Sequence, residues 1–311
     1  MTETRVERAA APPWRFIAGP RLARSEQING WAFVMPALVL LGIFLIYPII
    51  WSLWMSFQVG KGMNFSFGGW ANIVRLTKDP VYIRALTNTC IFFVVQVPIM
   101  ITLALLFAVA LNDPRLRFRG VFRTAIFLPC VTSLIAYSTL FKSMFAYDGV
   151  INKTLIFLHV TATPIPWLQD PFWAKILIIL AITWRWTGYN MVIYLAGLQG
   201  IPNDLYEAAE VDGAGWSTKL LRITLPLLRP VILFTTILST IGTLQIFDES
   251  YILTNGGPQN ATVTVGFYLY RVAFRQGDLT YASTIGYGLL VIIVVLSVLQ
   301  FRFSGEGKGE R

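Results

Sequence analysis

The residues that could do chemistry in this chain are polar side chains set inside long apolar stretches. Residues 182–191 read ITWRWTGYNM. At a spacing of i, i+3, i+4 and i+7, Trp184, Thr187, Gly188 and Met191 would share one face of a helix. An indole ring can stack on a sugar ring, a hydroxyl can donate a hydrogen bond, and a glycine leaves room for a bound molecule. This face therefore predicts part of the lining of a path for a polar solute.

A second polar segment, LSTIGTLQIFDESY, occupies residues 238–251. Ser239, Thr243 and Ile246 would share a helical face there, and Asp248 lies toward the outer end of the segment. These four residues complete the candidates for the solute path. Small and hydroxyl-bearing residues are also common packing contacts between membrane helices, so a packing role stays open for each of them.

Arg185 is a charged residue in the middle of an apolar segment, which makes a functional role the first hypothesis. Two interpretations stay open from the sequence. Arg185 either forms a structural ion pair with Asp248 or Glu249, or it helps to bind an anionic sugar or glycoside.

Residues suited to catalysis or metal binding are nearly absent. The sequence has one histidine, His159, and two cysteines, Cys90 and Cys130, which lie in apolar segments and are expected to be small buried hydrophobic residues. No G-x-x-x-x-G-K-[ST] phosphate-binding loop occurs, because GEGKGE at 305–310 has the wrong spacing. We expect no enzyme activity, no metal site and no cofactor on this chain, so ATP chemistry must come from another chain.

The elements that carry these residues are membrane spans. Hydrophobic residues make up 55% of the 311 residues and charged residues only 13%. A helix needs about 20 apolar residues to cross a bilayer, and a chain in lipid must satisfy its backbone internally. The sequence therefore predicts an all-α membrane protein with six transmembrane helices, at about 33–57, 87–111, 122–145, 174–197, 228–250 and 280–301.

The basic residues predict the orientation of this bundle. With the N-terminus inside, fifteen lysines and arginines fall on the inner side and seven on the outer side. Because positive charge favours the cytoplasmic face, both termini are expected in the cytoplasm. Residues 1–30 would form an N-terminal tail, 31–303 the six-span domain and 304–311 a C-terminal tail. The net charge of +9 then reflects topology, and no nucleic-acid partner is expected.

The loop at about 198–227, called the coupling loop below, is unusually polar and would be cytoplasmic. Its core, QGIPNDLYEAAEVDGAGWSTKLLRITLP, predicts a helix that starts with Asn203 as its N-cap and breaks at Asp212-Gly213. A second short helix is expected from about Gly215 to Leu221. From the residues alone, the loop is either a docking element with a small alanine face or a surface helix that only connects two spans.

The pattern E-A-A, three residues, G, nine residues, I-x-L-P resembles the EAA loop of ATP-binding-cassette (ABC) importer permeases. Here it is formed by Glu207, Ala208, Ala209, Gly213 and the segment 223–226. The segments LAGLQGIPNDLYEAAEVDGAG, YILTNGGPQNAT and MPALVLLGIFLIYPIIWSLWMSF are similar to the carbohydrate-uptake group, which includes the maltose, glycerol-phosphate and lactose permeases. The resemblance covers nearly the whole chain.

This resemblance implies a type I ABC importer permease-like bundle in the bacterial cytoplasmic (inner) membrane. It implies a carbohydrate substrate, alternating access and four kinds of partner: a second homologous permease, two ATP-binding subunits that hold ATP and Mg, an extracytoplasmic solute-binding protein and the lipid bilayer. It also implies that the coupling loop docks on the ATPase through Glu207, Ala208, Ala209, Asp212 and Gly213.

Two other function classes are alternatives. An ion-coupled secondary transporter acting alone would need acids in the membrane as ion sites, and Asp248 and Glu249 are the only candidates. A membrane-embedded enzyme would need a clustered catalytic set, which a single histidine in an outer loop does not supply.

Overall fold

The computed structural model describes residues 20–62 and 64–304. Most of the predicted N-terminal tail and all of the predicted C-terminal tail except Ser304 lie outside these residues. The chain divides into two units, with the boundary after Ser52.

The first unit is helical throughout its described part. It contains α1 (Pro20–Leu41), a π-helical turn (Gly42–Ile46) and the start of α2 (Tyr47–Ser56). The long apolar sequence of this segment explains its continuous helix. Residues 20–30, expected to belong to a separate tail, instead form the first turns of α1.

The second unit carries the remaining elements. In chain order they are β1 (Gln58–Lys61), β2 (Asn64–Phe67), α3 (Ala71–Lys78), α4 (Pro80–Asn112), α5 (Arg119–Val131), α6 (Leu134–Met144), α7 (Val150–Phe157), α8 (Pro171–Gln199), α9 (Asn203–Val211), α10 (Trp216–Lys219), α11 (Leu225–Leu244), α12 (Asp248–Ile252), α13 (Val265–Tyr270) and α14 (Leu279–Phe303). Two π-helical turns, Leu220–Thr224 and Arg271–Arg275, precede α11 and follow α13. The antiparallel hairpin β1–β2 is a small addition to the predicted all-α fold.

The third span is bent, and the expectation of one continuous helix over 122–145 is wrong. Its two parts, α5 and α6, meet at an angle of 100°. Thr132 has an extended backbone (φ −68°, ψ 148°), which ends α5. The Thr132 hydroxyl donates to the carbonyl of Pro129 at 2.7 Å, so a carbonyl freed by the helix end keeps a partner inside the apolar region.

Among the described residues, five helices are long and apolar enough to cross a membrane, and the count is six when α5 and α6 are taken as one span. This agrees with the predicted six-helix membrane fold. The span boundaries differ by a few residues, as for α4. That helix begins at Pro80, directly after Asp79, whose side chain accepts hydrogen bonds from the backbone N–H groups of Val81 and Tyr82.

The central contact of the second unit is between α4 and α8, the most extensive helix pair among residues 20–62 and 64–304. Fully buried Ala104 and Ala108 of α4 and Met191 and Tyr194 of α8 belong to one cluster in this region. Small side chains let the two backbones approach, which replaces the hydrophobic driving force that is missing in lipid. The Tyr194 hydroxyl lies 2.6 Å from that of Thr235, which ties α8 to α11.

Candidate functional site

A cavity of about 360 Å³ lies among α4, α8, α11 and α12. It is lined by Gln96 and Met100 of α4, by Ile182, Arg185, Trp186, Tyr189 and Asn190 of α8, by Leu238, Ser239, Gly242 and Thr243 of α11, and by residues Gln245–Glu249. Apolar surface with a few hydrogen-bonding groups is the usual lining of a small-molecule site.

The cavity uses a different face of α8 from the one predicted. Its lining residues on α8 begin at Ile182 and follow the spacing i, i+3, i+4, i+7 and i+8. Trp184, Thr187 and Gly188, expected on the solute path, do not line this cavity. Arg185, which the prediction also included, does line it.

The predicted face of α8 packs against the third span instead. The ring of Trp184 lies 5.2 Å from that of Phe141 in α6, centroid to centroid. The Thr187 hydroxyl donates to the carbonyl of Thr183 at 2.6 Å. A Cβ atom added to Gly188 would lie 2.0 Å from the backbone oxygen of Ile126 in α5, so glycine here allows a close helix contact. Trp184 and Gly188 therefore pack against α6 and α5, and a role of the three residues on the solute path stays a prediction.

The cavity lies where α11 ends. A continuous fifth span over 228–250 was expected, but the helix ends at Leu244, and Phe247 has a non-helical backbone (φ −129°, ψ −52°) before α12 begins. The hydroxyl of Thr264 donates to the carbonyl of Ile246 at 2.6 Å and so satisfies a backbone oxygen at the break. Ser239, Thr243, Ile246 and Asp248, which were predicted on the solute path, all line the cavity.

Amide and hydroxyl side chains form a connected polar network at the cavity wall. The Thr243 hydroxyl donates to Oε1 of Gln96 at 3.0 Å, and Nε2 of Gln96 donates to the sulfur of Met100 at 3.1 Å. The Ser239 hydroxyl donates to Oδ1 of Asn190 at 3.5 Å. Gln96 and Asn190 were not predicted from the sequence, although an amide in the middle of an apolar span is the signal that could have identified them.

Arg185 pairs with Glu249, one of the two partners proposed for it. Its Nη1 lies 3.4 Å from Oε1 of Glu249, and the two side chains are 14% and 7% exposed. The Tyr137 hydroxyl donates to the same carboxylate oxygen at 2.9 Å. The guanidinium also lies 5.0 Å from the ring centroid of Tyr137 and 5.4 Å from that of Trp186. Asp248 is not part of this pair.

Two aromatic rings are presented at the cavity and were not identified from the sequence. Trp186 and Tyr189 line it, each is 39% exposed, and their rings meet edge to face at a centroid distance of 5.8 Å. Aromatic faces suit the apolar faces of sugar rings, and the neighbouring amides suit hydroxyl groups. Trp184 and Trp186 could not be distinguished from the sequence, because both belong to faces with helical spacing.

The coupling loop folds as a helix, a glycine turn and a second helix, as predicted. At the end of α9, the N–H of Ala214 donates to the carbonyl of Ala209 at 2.8 Å and the N–H of Gly213 to that of Glu210 at 3.0 Å. This is a Schellman motif, which needs a left-handed residue, and Gly213 supplies it with φ +75°. The second helix, α10, is shorter than expected. It ends at Lys219, and a π-helical turn begins at Leu220.

The start of α9 differs from the prediction. Pro202 occupies the N-cap position, Asn203 is the first helical residue, and the N-cap makes no side-chain hydrogen bond. The loop is held instead by contacts across the turn. The hydroxyl groups of Tyr206 and Thr224 lie 3.0 Å apart, and Nζ of Lys219 lies 2.6 Å from Oε1 of Glu210.

The outer surface of the coupling loop combines charge with exposed apolar side chains. Glu207, Ala208, Asp212 and Gly213 are exposed, and Ala209 is partly buried. The large apolar side chains exposed on the same loop are Leu205, Val211, Trp216 and Leu221. The pKa of the Glu210 carboxyl is lowered because the Lys219 ammonium donates a hydrogen bond to it. Exposed apolar surface rimmed by charge is typical of a protein interface.

The chain matches a known protein family. Residues 64–304 match the model of the family described as binding-protein-dependent transport system inner membrane component. The chain belongs to this family. It is therefore a membrane permease subunit of a binding-protein-dependent ABC importer, which decides against an ion-coupled carrier acting alone.

Curated relatives and solved structures extend this result. The chain is 56% identical over 290 residues to the lactose transport system permease protein LacF of Rhizobium radiobacter, covering 92% of this chain and 97% of that protein. It is 35% identical to the arabinooligosaccharides transport system permease protein AraP of Bacillus subtilis (strain 168), covering 92% and 91%.

The fold is that of a solved importer. The chain is similar to a chain in the crystal structure of a bacterial ABC transporter involved in the import of the acidic polysaccharide alginate. The TM-score is 0.81 at 24% identity, over 94% of this chain and all of that chain. This confirms the type I importer permease fold of the prediction.

Proposed function

We propose that this permease forms, together with a second homologous permease, the translocation path for an uncharged carbohydrate or glycoside. The observation that carries the proposal is the cavity at the break of α11. There Trp186 and Tyr189 present aromatic surface beside the amides of Gln96 and Asn190. Relatives named for lactose and for arabinooligosaccharides support a carbohydrate as the substrate class.

The charges of the cavity support an uncharged substrate over an anionic one. The positive charge of Arg185 is already paired with Glu249, and Asp248 adds a second carboxylate to the lining. The three charged groups sum to a net negative charge, which would repel a uronate or a sulfonated glycoside. Hydroxyl groups, in contrast, both donate to carboxylates and accept from amides.

The coupling loop is proposed to seat on one of two ATP-binding subunits, which hold ATP and Mg. Glu207, Ala208, Ala209, Asp212 and Gly213 would form the contact, and the exposed Val211 and Trp216 would supply apolar area beside them. ATP-driven closure of those subunits would move the loop and, through α11, the cavity at its other end. A solute-binding protein would deliver the carbohydrate from the outer side, and the two permeases would alternate in access.

The placement in the cell follows from the same proposal. The chain would lie in the bacterial inner membrane with both termini in the cytoplasm. Residues 1–30 and 304–311 would be the cytoplasmic tails of a six-span domain over 31–303. The bias of basic residues toward the coupling-loop side supports this orientation.

Uptake into proteoliposomes tests the proposal. The permease would be reconstituted with its co-purifying subunits and its solute-binding protein, with ATP or a non-hydrolysable analogue enclosed. We expect ATP-dependent uptake of an uncharged oligosaccharide from a panel that includes lactose and arabinotriose. Lactobionate, which keeps the galactosyl unit and adds a carboxylate, should be excluded. Accumulation without ATP hydrolysis, or uptake of lactobionate as fast as of lactose, would contradict the proposal.

A further inference from the structure

A second cavity lies near the opposite end of α4 and α8, beside the coupling loop. Its volume is about 390 Å³. It is formed where the loop between α4 and α5 meets the start of α9, and Asn112, Arg119, Arg123, Gln199 and Asn203 are its polar lining residues. Gln199 follows Asn190 by nine residues along α8, which places it about 14 Å away along the helix axis. This second cavity is therefore separate from the carbohydrate cavity.

The polar groups of this second cavity are mainly hydrogen-bond donors. Two guanidinium groups and three amides line it, and no carboxylate does. Arg123 is fixed in place by a hydrogen bond from Nη2 to the carbonyl of Leu111 at 2.9 Å. The Arg119 side chain forms no hydrogen bond or ion pair within the described part of the chain.

One donor of the lining residue Arg123 is buried behind this second cavity. Nε of Arg123 is inaccessible to solvent and has no hydrogen-bond partner among the residues that the structure describes. A buried donor without a partner is costly, and such atoms are rare in folded proteins. Two neighbouring arginine side chains, with no carboxylate in the same lining, suit an anionic ligand.

We propose that this second cavity binds a phosphate group, supplied either by an anionic phospholipid headgroup or by a free phosphate-bearing solute. The planar guanidinium fork matches phosphate oxygens in geometry and charge. Basic pockets between helices at the membrane surface are suited to anionic headgroups. Because Asn203 is the first residue of α9, the bound phosphate would fasten the start of the coupling loop to the loop between α4 and α5.

Lipid retention and thermal stability together test this site, independently of any transport assay. The permease with its co-purifying subunits would be placed in phosphatidylcholine nanodiscs, with phosphatidylglycerol as one probe and inorganic phosphate as the other. Native mass spectrometry would count retained phosphatidylglycerol, and the unfolding midpoint would report stabilisation by either probe. Stabilisation by phosphatidylglycerol alone identifies a headgroup, and equal stabilisation by inorganic phosphate identifies a free phosphate. Either result supports the site.

Arg119→Gln is the decisive variant, and Arg117→Gln is its matched control. Both remove one charge from the same basic segment, but Arg117 does not line this second cavity. We expect Arg119→Gln to weaken binding of the effective probe about tenfold, the loss of one charge-assisted hydrogen bond, and Arg117→Gln to weaken it less than twofold. Arg123→Lys keeps the charge but not the planar fork, and should also weaken binding while the subunit folds.

Three outcomes would overturn the proposal. The first is binding of neither probe by the wild type. The second is an equal loss in the Arg119 and Arg117 variants, which would reflect only the general positive charge of the segment. The third is release of the ATP-binding subunit by Arg119→Gln with unchanged phosphate binding, because the arginine would then hold a carboxylate of a partner protein.

Discussion

The cavity and the coupling loop lie at opposite ends of α11, and their charged groups differ in burial. At the cavity, the charges of Arg185 and Glu249 are buried against each other, and aromatic rings face the open space. At the loop, charged residues are solvated, while Val211 and Trp216 are 88% and 63% exposed. The difference separates a surface suited to a small polar molecule from a surface suited to another protein.

The largest effect should come from breaking the buried pair at the cavity. Arg185→Met leaves Glu249 charged and unpaired, which we expect to destabilise the subunit by about 3 kcal/mol. The double variant Arg185→Met with Glu249→Met should recover at least half of that loss, because no buried charge remains. Denaturation of the purified subunit in detergent measures both variants.

A double variant as unstable as the single one would show that the pair is not the source of the effect. If Arg185→Met leaves the stability unchanged and abolishes uptake of the carbohydrate, Arg185 acts on the solute instead of on Glu249.

The next largest effect belongs to the turn of the coupling loop. Gly213→Val forces a β-branched residue into a left-handed conformation, at a cost of about 1–2 kcal/mol, although a Cβ atom would meet nothing within 4 Å. We expect weaker retention of the ATP-binding subunit on co-purification. Gly215→Ala, at an ordinary backbone position of the same loop, is the control and should retain the ATPase normally.

A smaller effect should separate the two tryptophans of α8. Trp186→Leu removes a ring at the cavity and should raise the half-saturating sugar concentration for uptake about fivefold, the value of one aromatic contact. Trp184→Phe keeps a ring in the packing against Phe141 and should change that concentration less than twofold. The reverse ranking would restore the face of α8 that the sequence favoured.

The smallest effect concerns the Glu210–Lys219 contact in the coupling loop. Because Lys219 lowers the pKa of Glu210, the contact contributes stability above the ordinary carboxyl pKa and loses it as the pH falls through the lowered value. Lys219→Gln should return the pKa of Glu210 to its ordinary range, and Lys219→Arg should keep it low. NMR titration of the Glu210 carboxyl carbon measures the shift, which high salt should reduce because the group is exposed.

Features set by local sequence could be predicted well. The Schellman turn at Gly213 requires only a helix-forming segment and a glycine, and both are contiguous in the chain. The six spans follow in the same way from lengths of apolar sequence. In the cavity lining, Ser239, Thr243 and Asp248 could be identified because polar residues are conspicuous in an apolar span, and Ile246 because it shares their helical face.

Features set by contacts between distant segments could not be predicted. The break after Leu244 is supported by Thr264, which lies eighteen residues beyond the carbonyl of Ile246 that it caps. The face of α8 that lines the cavity depends on where α5 packs. The close contact of Gly188 with the backbone of Ile126 in α5 is visible only in the structure. The 100° bend of the third span, which follows Val131, was likewise not predicted from the sequence.

The central claim is that the cavity binds the carbohydrate and the coupling loop binds the ATPase. Uptake and ATP hydrolysis measured in the same proteoliposomes test this claim most directly. We predict that Trp186→Leu lowers the affinity for the carbohydrate and leaves the ATPase subunit bound, and that Gly213→Val lowers the uptake per ATP hydrolysed without changing the half-saturating concentration of the sugar. If Gly213→Val instead changed sugar affinity as much as Trp186→Leu does, with coupling intact, the separate roles assigned to the cavity and the coupling loop would be wrong.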